Sequence, residues 1–139
     1  METGEVRRRL QQAIERARRS AADRRARNDA ATQGFNDFLD HVAVPLFKQI
    51  ANVLKIEGYP FTVFTPSGSV RLMSDRSADD YIEIALDTSD VEPRVMAHTS
   101  RSRGRRVVDE ERAIGKPGAL TEEDLFVFLL KELEPFVER

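Results

Sequence analysis

The chain has 139 residues, enough for one domain around one core. It is 40% hydrophobic and 33% charged, has no apolar run near the roughly 18 residues of a membrane span, and lacks an apolar signal core at its start. It contains no cysteine, which excludes disulfides, thiolate chemistry and cysteine-based zinc sites. The expectation is a soluble, cytoplasmic protein with no membrane partner.

The formal charge of −2 conceals an asymmetry. Residues 1–30 carry nine arginines and five acids, a net of +4. The remaining thirteen basic and nineteen acidic residues give −6. A basic arm on an acidic body can bind an external polyanion, its own body, or the body of a second copy.

From Glu5 to about Val44 the only glycine is Gly34, and there is no proline. Arg, Ala, Gln and Glu dominate the first thirty residues, and all are good helix formers. Leu10, Ile14, Ala17, Ala21, Arg24, Asn28, Ala31, Phe35, Phe38 and Val42 recur at alternating steps of four and three. That spacing is a heptad seam of the coiled-coil type. Its middle is weak, and an Asn at a core position such as Asn28 fixes register at a cost in stability. Forty residues of helix span about 60 Å, about twice the width of a small domain. The helix therefore either projects and pairs with another chain, or breaks near Gly34 and folds back. A third reading is a frayed, partly disordered arm.

From Phe35 the seam turns strongly apolar, through Phe38, Leu39, Val42, Leu46, Phe47, Ile50, Val53 and Leu54. Pro45 predicts a kink or a fresh helix start, because proline removes a helix hydrogen bond and clashes with the preceding turn. The second helix should run to about Ile56 with Gly58 as its C-terminal cap.

Tyr59 to Ile114 reads as four or five short strands. Phe61–Thr65 is rich in aromatic and β-branched residues. Thr65-Pro-Ser-Gly-Ser69 is a turn, and Val70–Met73 the return strand. Tyr81–Asp87 alternates strictly, with Ile82, Ile84 and Leu86 on the apolar side. Arg94–Thr99 is the next strand, with Val95 and Ala97 inward. Ser100–Gly104 is a turn, and a weaker strand from Arg105 reaches toward Ile114. Strands this close together, without helical spacers, must pair antiparallel.

Gly115–Gly118 is a loop. Thr121 then caps a helix starting at Glu122, with Asp124 where a capping box carries its acid and Leu120 and Leu125 placed for a hydrophobic staple. Leu125, Phe126, Phe128, Leu129, Leu130 and Leu133 make this helix apolar over much of its circumference, more than one sheet face needs.

The predicted fold is therefore α+β: a long N-terminal helix, a short second helix, a four- to five-stranded antiparallel β-meander and a C-terminal helix. Residues 1–34 form an Arg-rich arm and residues 35–139 a compact domain. The expected core is Phe38, Val42, Leu46, Ile50, Leu54, Val63, Leu72, Ile82, Ile84, Leu86, Leu125, Leu129 and Leu133. In outline this layout resembles coiled-coil-tethered adaptor domains, a likeness that carries no function by itself.

Chemistry-bearing signals are sparse. His41 and His98 are isolated, with no metal-ligand spacing. Asp75, Asp79, Asp80 and Glu83 gather acids near one loop, but no calcium-loop pattern is present. Ser67-Gly-Ser69 lacks any nucleophile or phosphate-loop signature. Asp109-Glu-Glu-Arg112 reads as an exposed edge. No catalytic residue, cofactor or metal is expected, and no enzyme activity.

Two basic stretches remain. Arg18, Arg19, Arg24 and Arg25 lie on the arm, and Arg101, Arg103, Arg105 and Arg106 on a hairpin tip. Arginine forks fit phosphates bidentately, so nucleic acid is one reading. A pI near 5.8 and the absence of interleaved aromatics argue against it. Solvated charges guarding an edge strand explain the tip as well. The favoured expectation is a protein–protein interaction module, an adaptor or subunit, forming a homodimer or binding another subunit. Its interface would use Leu10, Ile14, Ala17, Ala21, Asn28, Phe35, Phe126 and Leu130.

Overall fold

A computed structural model describes residues 1–138. Helix α1 (Thr3–Phe38) is followed without a break by a π-turn (Leu39–Ala43) and by α2 (Val44–Ile56). Five strands come next, β1 (Phe61–Phe64), β2 (Ser69–Ser74), β3 (Tyr81–Asp87), β4 (Arg94–Arg103) and β5 (Arg106–Gly115). Helix α3 (Glu122–Leu133) and a short 3₁₀ turn (Glu134–Phe136) close the described chain. The sheet order is β1-β2-β3-β4-β5, all antiparallel, which is a meander. The α+β layout read from the sequence is thus the observed one, and no helix is long and apolar enough to cross a membrane.

The helix does not break at Gly34. Pro45 lies in the first turn of α2, where a missing N–H is tolerated, but the backbone stays right-handed helical on both sides of it. The π-turn makes this continuity workable. The Val44 N–H reaches back five residues to the Leu39 carbonyl, so one extra residue is housed just before the proline. The His41 Nδ1–H donates to the Asp37 carbonyl at 2.9 Å.

The wide turn also rotates the helix, which corrects one expectation. Val42 would face the core in an unbroken α-helix. Instead Leu39 and Ala43 are buried, and Val42 is half-exposed and outside the core cluster. The inward stripe runs Phe35, Leu39, Ala43, Phe47, Ile50 and Leu54.

One sheet face receives this stripe. Val70, Leu72, Ile82, Ile84, Val95 and Ala97 are buried with it, as are Leu46, Leu125, Leu129 and Leu133. Phe38, Leu54, Val63 and Leu86 are half-buried against the same core. Two helix ends are closed as their residues allow. Gly58, at φ 95°, ends α2, with the Tyr59 N–H on the Leu54 carbonyl at 2.7 Å and the Gly58 N–H on the Lys55 carbonyl at 3.1 Å. Thr121 and Asp124 form a reciprocal capping box at the start of α3, each bond 3.1 Å long.

Candidate functional site

Helix α3 divides its apolar residues between two tasks. Leu125, Leu129 and Leu133, four apart, point into the core. Phe126 and Leu130, one step round, face α2 across a groove of about 710 Å³. The α2 wall is Leu46, Ile50 and Val53, and Glu122 and Glu123 stand at the rim. Val53 is 59% exposed and Leu130 is 52% exposed. An apolar channel between two helices, with acids at one end, suits an apolar segment flanked by basic residues. Each leucine-sized side chain buried there contributes about 1.5–3 kcal/mol.

The arm offers the opposite surface. Leu10 is 57% exposed and Ile14 is 48% exposed. Ala17, Arg18, Arg24 and Arg25 are exposed, and Ala21 and Asn28 half-buried. Arg9 pairs with Glu5 at 2.9 Å and Arg19 with Glu15 at 3.6 Å, both across one helical turn. Such exposed pairs contribute little. The Asn28 side-chain oxygen is shielded and lacks a hydrogen-bond partner. Phe35, expected at the interface, is instead 1% exposed inside the chain's own core, because burial begins there.

Arg103, Arg105 and Arg106 are exposed at the β4–β5 tip, where Gly104 adopts φ 64°, and Arg101 is half-buried. The adjoining cleft of about 600 Å³ is lined by Arg101 and Arg103, but also by Asp80 and Glu138. Acids beside the arginines oppose phosphate binding there. The arm arginines sit on α1 and the tip arginines on the β4–β5 hairpin.

The outer sheet face, which no helix covers, holds a group the sequence reading missed. The register places Arg71, Glu83, His98 and Glu111 side by side across four strands. Arg71 pairs with Glu83 at 3.0 Å and stacks over the Tyr81 ring at 4.0 Å. Tyr81 meets His98 edge-on at 5.3 Å, and His98 Nε2 lies 3.0 Å from the Asp109 carboxylate. Burial pushes the Tyr81 hydroxyl above its ordinary 10.0, Arg71 opposing and Asp109 and Glu83 adding to it. Asp109 is therefore more than an exposed edge residue. On the other, helix-covered face Arg112, opposite buried Ala97, pairs with Glu132 of α3 and lies over the Phe128 ring at 5.1 Å. Within the outer-face group the His98 side chain is 31% exposed and the Asp109 carboxylate 59% exposed.

Among the described residues no group of three or more His, Asp or Glu side chains is placed to hold a metal ion. The chain matches no protein-family model, no curated protein and no solved structure.

Sequence reasoning found the α3 half of the groove through its surplus apolar residues. On the α2 side Leu46, Ile50 and Val53 were all named in the sequence, but as members of one apolar run, with Leu46 and Ile50 expected in the core. The His98 group left no signal, since the β3–β4–β5 register that assembles it is a tertiary fact.

Proposed function

We propose that this protein is a protein–protein interaction module without chemistry of its own, an adaptor or subunit that docks partner segments in the α2–α3 groove. The α2–α3 groove carries this reading: apolar walls, an acidic rim, and Val53 and Leu130 left more than half exposed. Large exposed apolar surfaces mark partner sites. The α1 arm, with Leu10 and Ile14 open to solvent, serves as tether and second contact.

The test is a pull-down from the native host with and without nuclease, using the full chain and its Leu130→Glu variant. Groove docking tolerates salt and fails in the variant. Recovery of nucleic acid alone, lost on raising salt and on replacing Arg103, Arg105 and Arg106 by alanine, contradicts it.

A further inference from the structure

We propose that the segment filling the α2–α3 groove is the arm of a second copy of this chain, exchanged reciprocally in an antiparallel dimer. This rests on the reading of the groove as a docking site and names its occupant.

Shape comes first. Val6, Leu10, Ala13, Ile14, Ala17 and Ala21 form one exposed apolar stripe at helical spacing. Anchors at i, i+4, i+7 and i+11 are how an amphipathic helix enters a groove. Residues 6–21 span about 22 Å, and α3, the shorter wall of the groove, about 18 Å. Only Ala21 of this stripe is even half-buried in the chain itself.

Charge agrees. Arg18 and Arg25 flank the stripe, and the groove rim carries Glu122 and Glu123. Residues 1–30 hold a net +4 and the rest of the chain −6, so each arm is attracted to a body.

Connectivity decides whose arm it is. Helix runs from Thr3 to Ile56 through the π-turn, so stripe and groove lie at opposite ends of one rod. Ile14 and Ile50 are separated by about 54 Å along it, so a chain cannot fill its own groove. Two rods laid antiparallel, with a two-fold near residue 32 (a rough midpoint of Ile14 and Ile50 at about 1.5 Å per residue), bring both stripes onto both grooves at once. Gly34 lies beside that crossing with open space where a Cβ would stand, which allows close approach. Asn28, whose shielded side-chain oxygen has no partner, lies on the other side of it.

The absence of cysteine makes the test clean. One copy carries Leu10→Cys and a size-tagged copy carries Val53→Cys. They are co-expressed as full chains, oxidised mildly and resolved without reductant. The expected result is a mixed disulfide between the two copies, with little bridging of either to itself. A Leu10→Cys copy bridged mainly to another Leu10→Cys copy means that arms pair side by side, which overturns the proposal. A chain that remains monomeric by light scattering at micromolar concentration overturns it too. If Leu130→Glu still abolishes capture of another protein in that case, the docking reading survives without this occupant. As an independent arm, Glu122→Arg with Glu123→Arg should weaken dimerisation about tenfold at low salt. Adding Arg18→Glu with Arg25→Glu should restore it. Failure of the four-fold variant to recover, with its circular dichroism unchanged, also overturns the proposal.

Discussion

Asp80 and Ser102, 22 residues apart, are joined by two hydrogen bonds onto one carboxylate oxygen: the Ser102 N–H donates at 2.7 Å and its hydroxyl at 3.0 Å. Asp80 is buried, and its own backbone closes the β2–β3 loop through the Ser74 N–H at 2.9 Å. An acid that resembled part of a cation cluster in the sequence is thus an anchor for β4. Asp80→Ala leaves the Ser102 N–H without its acceptor and should cost about 1–3 kcal/mol. Asp80→Asn, which keeps an acceptor oxygen, should cost less. Urea denaturation of the two variants checks the order.

The π-turn predicts an inverted pair of alanine effects. Leu39 is buried, so Leu39→Ala should destabilise by about 2–5 kcal/mol. Val42, half-exposed, should cost under about 1 kcal/mol. Equal losses at the two positions would mean that the helix crosses Pro45 in the ordinary α phase.

Helix α3 depends on its first turn, because it forms both core and groove wall. Thr121→Ala removes the acceptor for the Asp124 N–H and should cost about 1 kcal/mol. Thr121→Ser should be close to neutral. Thermal melts followed by circular dichroism distinguish the two.

Two groups give pH signatures of opposite sign. Tyr81 is held protonated by burial, so its folded value lies above 10.0. The associated stability is fully present below pH 10 and is lost as pH rises through the folded value. Tyr81→Phe should remove a high-pH step from the tyrosinate absorbance titration and flatten the alkaline limb of stability. Asp87 is held below its ordinary 3.8 by the Ser89 hydroxyl and N–H, with Arg94 adding to it. Its contribution is present above about pH 4 and is lost as pH falls through the folded value. Asp87→Asn should flatten that acid limb, and a chemical denaturation series across pH reads both.

Much of the architecture could be read directly along the chain. Strict alternation in Tyr81–Asp87 placed Ile82 and Ile84 inside, and both are fully buried. Thr121 and Asp124 announced the start of α3, and Gly58 the end of α2. These features are local: a strand's period, a cap and a positive-φ turn each depend on a few neighbouring residues. Tertiary structure decided the rest. The helical phase past Pro45 follows from a backbone hydrogen bond that skips one residue, so the periodicity that put Val42 in the core could not see Ala43 take its place. The groove exists because α2 and α3, with 65 residues (57–121) between them in the chain, lie side by side on one sheet face. The His98–Asp109 pair exists because β4 and β5 share one register rather than the next. A shift of one residue would turn Asp109 to the other face, and nothing in the order of residues alone states which register is made.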